Sequence, residues 1–171
     1  SMFKYDVAFT ANNYGKHMFP DALLRSNVAI RLKEKFKDRA GIFGEGYPSH
    51  LGITSYPMGK INELYNNSRC VVSVSNFNDV SHYFSDRLLM CIGSGRPTIA
   101  YRFPGMESYF CEGGDILIAR SVEDVVRLVE FCKNNLDRAD EIGMNGGMKA
   151  RAEHSFVSRV RELLNIVGLR V

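Results

Sequence analysis

The run SDRLLMCIGSGRPTIAY, residues 85–101, is the strongest constraint on the fold. It reads as a short helix, a tight Gly-Arg-Pro turn and a buried strand. Ser85 is placed as an N-cap, its hydroxyl ready to accept from an early helical N–H. Gly95 stands where the helix must stop, and Pro97 cannot continue it. Residues 98–101 then form the strand. The helix start offers free N–H groups, the positive end of a dipole and Arg87 in the first turn. That combination suits a phosphate or diphosphate. The plainer alternative is a surface arginine at an ordinary helix start.

The same alternation runs through the chain. Residues 4–10 (KYDVAFT) form a first strand that opens into a turn-rich loop, 11–17, where a ligand can approach the backbone. A helix follows from about Pro20, with Leu24, Val28, Leu32 and Phe36 as its buried stripe and Arg25, Lys33, Lys35 and Lys37 as its wet face. Residues 41–46 read as a short strand with a glycine-rich exit, and 51–55 as another short strand. Residues 57–67 form a short helix with Ile61, Leu64 and Tyr65 inward. Residues 69–75 (RCVVSVS) are apolar on both faces, as central parallel strands are. Residues 76–84 make a polar, aromatic loop, 104–110 a turn with one helical segment, and 115–119 (DILIA) the last strand.

Three helices close the chain. Ser121 opens the first in a capping-box-like start. The second, about 138–153, carries Gly143, Gly146 and Gly147, which weaken it in isolation and predict close packing. Ser155 opens the last, with Phe156, Val160, Leu163, Leu164 and Val167 expected inside. The pattern predicts one α/β domain over residues 1–171, a doubly wound, Rossmann-like parallel sheet of about six strands with a helical C-terminus. Ligands of such sheets bind at the carboxyl ends of the strands, near the switch point.

Composition excludes several classes. The 171 residues carry a net charge of only +3, with Lys and Arg scattered among acids, so there is no strong nucleic-acid signal. No apolar run approaches the ~18 residues of a membrane span, and no secretory leader is expected from the polar start of the sequence. Cys70, Cys91, Cys111 and Cys132 form no CxxC, and three lie in or beside apolar segments, as buried free thiols do in a reducing compartment. A cytoplasmic location is expected.

Catalytic motifs are sparse. GxGxxG, GxSxG and DxD are absent, and no carboxylate cluster recurs, so no metal is expected. His17, His50, His82 and His154 are dispersed and read first as solvated or structural. Lys16 and Arg102 join Arg87 as cations that can neutralise a diphosphate. Glu107 is open to two readings, as an acceptor for sugar hydroxyls or as a first-turn helix acid.

Four runs in order resemble the C-terminal half of GT-B glycosyltransferases, of the group 1 and CgeB-like type. Residues 61–72 resemble their "lY..s.i.l" element and residues 86–97 their "R.fEa.a.G.P". Residues 112–117 with 121–129 resemble "dg.d.l.....eel...i", and 154–159 resemble the closing "H.y..R". The resemblance implies a glycosyltransferase whose donor half binds a nucleoside diphosphate sugar, a UDP-sugar foremost, with no further cofactor. Arg87 and Lys16 would hold the diphosphate, with Asn13, Gly15 and Ser85 around it. Tyr56, in the 51–57 region, would lie against the base and Glu107 near the sugar or phosphates. The acceptor-binding half would precede residue 1, so this half alone would bind rather than catalyse, and no catalytic residue is assigned.

One departure matters. The family's E-x7-E pair is replaced by His82 and Met90, and Met90 cannot accept the ribose hydrogen bonds that a carboxylate takes. Asp86 is near in sequence but is expected on a different helical face. The alternative reading is a non-catalytic, doubly wound module that binds a partner protein. A nucleic-acid-modifying transferase is a third.

Overall fold

The computed structural model describes residues 2–15 and 18–168. Five parallel strands form one sheet: β1 Tyr5–Thr10, β2 Ala40–Phe43, β3 Ser68–Ser73, β4 Thr98–Tyr101 and β5 Leu117–Ala119. Their order is β2-β1-β3-β4-β5. Six helices accompany them: α1 Ala22–Phe36, α2 Ile61–Asn66, α3 Asp86–Gly93, α4 Val122–Asn134, α5 Leu136–Glu153 and α6 Phe156–Ile166. This is the expected doubly wound α/β sheet with a helical C-terminus. It has five strands among the described residues rather than about six. The expected strand at 51–55 contributes a single bridge, Thr54 to Phe43. It follows a 3-10 turn whose Gly52 takes a left-handed φ of 62° and breaks any extended run.

β3 is buried along its whole length, which explains its two-sided apolar sequence. On one face Phe9, Val72 and Ile99 meet α1 and α4 through Val28, Leu32, Val125 and Val129. On the other, Ala8 and Val71 meet α2 and α3 through Leu64, Tyr65 and Cys91. Arg25 departs from the sequence reading: it is only 2% exposed, inside the fold rather than on the wet face of α1. Cys70, Cys91 and Cys132 are buried free thiols, and Cys111 is exposed.

The glycines of α5 allow it to lie flush on the Gly-Arg-Pro turn between α3 and β4. A Cβ at Gly143 would stand 2.6 Å from the Gly95 carbonyl oxygen and the Pro97 nitrogen. One at Gly146 would stand 2.5 Å from the Asp115 carbonyl oxygen. Gly95 itself takes φ 72° to end α3.

α6 begins as expected, with the Ser155 hydroxyl accepting from the Ser158 N–H. Its apolar stripe does not. Phe156 is 92% exposed, and Val160, Leu163 and Val167 are exposed too, with Leu164 half-buried. The helix has the periodicity of a packed element, but both faces of the sheet are already covered by the other helices. No helix among the described residues is long and apolar enough to cross a membrane.

The junction of α5 and α6 is held by His154. Its ring lies 5.5 Å from the Phe110 ring and 6.2 Å, edge-on, from that of Phe84. Arg159 Nη2 approaches its Nδ1 at 2.6 Å. A guanidinium only donates, so Nδ1 is the unprotonated acceptor. Burial first, and the Arg159 charge second, hold the imidazole below its ordinary pKa of 6.5.

Two predictions follow from this packing. Helix propensity alone favours Gly→Ala by about 1 kcal/mol. At Gly143 and Gly146 the contacts reverse that sign, so each Ala variant should lose about 1–3 kcal/mol in urea unfolding, as overpacking does. Gly93→Ala, with open space around its Cβ, should not. The lowered His154 pKa means that the neutral form belongs to the folded state. Its stabilisation is present above pH 6.5 and is lost as pH falls through the folded-state value. The urea midpoint should therefore drop on acidification below that point, and His154→Gln should flatten the drop.

Candidate functional site

β1 connects to β2 on one side of itself and pairs with β3 on the other, so strand order reverses at β1. A cleft of about 240 Å³ opens there, at the carboxyl ends of the strands. Thr10, Ala11 and Asn12 line it from β1 and its exit, Phe43, Gly44 and Glu45 from β2, and Asp86, Arg87 and Met90 from α3. Ser55, Tyr56, Ile61 and Tyr65 complete the wall.

The rim is built from backbone. Beyond the sheet, Ala11 N–H donates to the Phe43 carbonyl at 2.9 Å and Asn13 N–H to that of Glu45 at 2.8 Å. Asn12 Oδ1 accepts from the Glu45 N–H at 3.2 Å, and Asn13 Nδ2 donates to the Gly46 carbonyl at 2.9 Å. The glycine-rich exit of β2 makes this zipping possible, since a Cβ at Gly44 would stand 1.9 Å from the Ala11 carbonyl oxygen. The wall is aromatic: the Phe43 and Tyr56 rings lie 4.6 Å apart. At the floor the Tyr65 and Thr10 hydroxyls are hydrogen-bonded at 3.2 Å, and burial pushes the Tyr65 phenol above its ordinary pKa.

Arg87 is half-buried in the first turn of α3. Among the described residues its guanidinium has no hydrogen bond or ion pair. The expected Ser85 cap differs in detail: Ser85 has N-cap backbone geometry, but its hydroxyl accepts no helical N–H. The Asp86 carboxylate instead takes the Arg87 N–H at 2.8 Å. Asp86 also lines the cleft together with Met90, against the expectation of a different face, because positions four apart share one helical stripe.

The other sequence candidates divide. Tyr56 lines the cleft, and Asn13 sits on its rim. Gly15 lies in the exposed loop beyond, and Lys16 falls outside the described residues. Glu107 is exposed on the 3-10 turn Met106–Ser108, apart from the cleft lining. Arg102 opens onto a separate hollow with Asn78, Asp79 and Arg120. His82 takes a left-handed φ of 60°, its ring packed on Gly105 and 5.8 Å from that of Tyr109.

Sequence reasoning missed Glu45, Asn12 and Arg25. The glycine-rich exit at 41–46 was the only local signal for Glu45. Arg25 carried one local signal, its place three residues before Val28 and seven before Leu32 on the buried stripe of α1. It donates to Asn76 Oδ1 and stands over the Tyr14 ring at 5.9 Å. Its Nε and Nη2 are buried without an acceptor, as is the Tyr47 hydroxyl. Burial, and next the like charge of Arg87, lower its pKa to about 10.

Known proteins match this chain at two levels. The chain resembles solved structures of Anabaena Alr3699/HepE with UDP-glucose (TM-score 0.70, 11% identity, 96% of this chain and 49% of that one). It resembles a glycosyltransferase from Rickettsia africae (TM-score 0.71, 16% identity, 97% and 47%). It also resembles the C-terminal domain of the group 1 glycosyl transferase LpcC from Francisella tularensis (TM-score 0.64, 14% identity, 90% and 88%). The chain thus spans about half the length of the first two and nearly all of the third. At these identities the likeness establishes the fold, the expected GT-B half. No curated protein sequence matches. The glycosyl transferase-like family matches residues 25–165, most of the chain. The chain therefore belongs to the glycosyl transferase-like family.

Proposed function

We propose that this chain is the donor-binding half of a glycosyltransferase that moves a sugar from a nucleoside diphosphate sugar to an acceptor. The observation that carries the reading is Arg87, a cation without a described partner at the start of α3, in a cleft walled by Phe43 and Tyr56 at the switch point. The base lies against Tyr56, and the diphosphate meets the Arg87 guanidinium at the positive end of α3. As the sugar leaves, negative charge grows on the diphosphate, and these fixed donors stabilise it where a metal would otherwise act. A UDP-sugar is the first donor to test, in keeping with the UDP and UDP-glucose bound to Alr3699/HepE. Lys16 is proposed as a second contact to the diphosphate. The acceptor and its binding surface belong to a second unit, and the reaction is placed in the cytoplasm.

The ribose is proposed to rest on Glu45. Met90 lines the cleft but accepts no hydroxyl hydrogen bonds of carboxylate strength. Asp86 is occupied with the Arg87 N–H. Glu45 lines the same cleft, and its carboxylate has no described hydrogen bond or ion pair. A second reading, a non-catalytic module that binds a partner protein, is favoured by Met90 and by the exposed apolar stripe of α6.

Calorimetric titration with UDP, GDP, ADP and CDP, with and without magnesium, separates the two. The donor-half reading expects one diphosphate to bind without magnesium and Arg87→Ala to weaken it by about 1.5–3 kcal/mol. Absence of binding by all four favours the protein-binding module. Glu45→Gln should weaken the same diphosphate by about 1–2 kcal/mol. It should leave an analogue lacking the ribose hydroxyls unchanged. Equal weakening of both would remove Glu45 from the ribose.

A further inference from the structure

Arg25 is an anomaly that the donor cleft does not absorb. Among the described residues, the other buried charged side chains have partners: Asp6 with Arg39 and Lys133, Arg69 with Asp140, Asp115 with Lys149, and His154 with Arg159. Arg25 is as buried as any of them and has no carboxylate. Its single hydrogen-bond partner is the neutral Asn76 side chain, and two of its three nitrogens donate to nothing. Tyr14, Tyr47 and Tyr83 surround it, and the Tyr47 hydroxyl is likewise buried and unsatisfied. The formal charge nearest in effect is Arg87, of the same sign. Asp21, at the N-cap of α1, turns its carboxylate to the Asn78 N–H at 2.6 Å. The first turn of α1 contains no acid.

A cation taken out of water and left unpaired is among the costliest arrangements in a protein. Here it stands in the first turn of α1, at the positive end of a helix, and feels the like charge of Arg87, which lines the switch-point cleft. Each of these three features is relieved by the same thing, an anion.

We propose that Arg25 is a buried anion receptor that extends the donor site: its free Nε–H and Nη2–H, with the Tyr47 hydroxyl and Arg87, take a phosphoryl or carboxylate group of the donor. The Tyr14 ring now lies over the guanidinium and moves aside when the anion enters. The inference rests on the donor-half reading for what carries the anion, but not for the existence of the anion site. The group is either the distal phosphate common to all nucleoside diphosphates or an acid on the sugar.

The test compares the wild type with Arg25→Met and Arg25→Lys. Thermal unfolding with sodium pyrophosphate, at ionic strength matched with sodium chloride, should raise Tm of the wild type and leave Arg25→Met unmoved. Arg25→Lys, which keeps the charge, should retain part of the rise. In anion-free buffer Arg25→Met should be at least as stable as the wild type, because an unpaired buried charge has been removed. A purely structural arginine would give the opposite. Calorimetry then identifies the anion. If Arg25 reads the distal phosphate, Arg25→Met weakens UDP and UDP-glucose by about tenfold or more and spares UMP. If it reads an acid on the sugar, UDP-glucuronate alone is weakened. No pyrophosphate response in the wild type, or an equal response in Arg25→Met, overturns the proposal. A wild type that responds to pyrophosphate but binds no nucleotide would sink the donor-half reading and leave the anion receptor standing.

Discussion

The seat of α5 on the Gly95-Arg96-Pro97 turn sets the position of everything that faces the cleft. Gly143 and Gly146 let the α5 backbone touch the turn and the Asp115 carbonyl directly, with no side chain between them. α3 ends at that turn, so its axis is fixed from its C-terminal end. An α-helix of eight residues is short and rigid, and fixing one end aims the other. Arg87 and Met90 are thereby placed against the exit of β1. A looser seat would move α3 and the first-turn arginine together, and interiors packed at this density transmit such shifts rather than absorb them.

Charge is distributed unequally between the two edges of the sheet. At the amino edge Asp6 is buried, which raises a carboxyl pKa, yet Lys133 and Arg39 outweigh that and hold it below the usual range. Arg69 there donates to Asp140 and to the Cys132 and Leu136 carbonyls. Cations at this edge are matched by acids and carbonyls and serve to hold the strands to α4 and α5. At the carboxyl edge, among the described residues, neither the Arg25 nor the Arg87 guanidinium is paired with an acid. Two cations close enough to disfavour each other oppose folding, so their persistence has to be explained by something other than stability. The same loops carry the glycines that let β1 and β2 run on past the sheet.

How far the chain could be read in advance depends on how local each cause is. The helix, turn and strand of 85–101 were legible because Gly95 and Pro97 act on their own backbone. β3 was legible because burial on both faces leaves only apolar residues and small polar ones. The glycines of α5 announced close packing, though not its partner, since the touching atoms lie about 30 to 50 residues earlier. What escaped was decided at a distance. Arg25 is in register with the buried stripe of α1, but its charge reads as a wet-face residue until loops from other segments are seen to fold over it. The α6 stripe has the period of a core helix and finds no free sheet face. The acid proposed for the ribose could not be sought on the β2 exit until the β1 and β2 loops were seen to be hydrogen-bonded to each other.

The methionine at position 90 and the lack of a described partner for Arg87 are physically linked. Position 90 lies three residues beyond Arg87, a spacing at which helical side chains are neighbours. A carboxylate there would offer Arg87 a partner within its own helix and would hold part of its charge away from the cleft. With Met90 that competition is gone. An acid on the β2 exit, at Glu45, reaches the cleft from the opposite wall, attached to a different segment of backbone. On the donor-half proposal, ribose hydroxyls and diphosphate would be bound by groups on opposite sides of the cleft. Such a site separates its negative anchor from its positive one across the ligand instead of along one helix, and binding a nucleotide ties the β2 exit to α3. Arg25, held by Asn76 and the Tyr14 ring, would add a second positive charge to the Arg87 side of such a site.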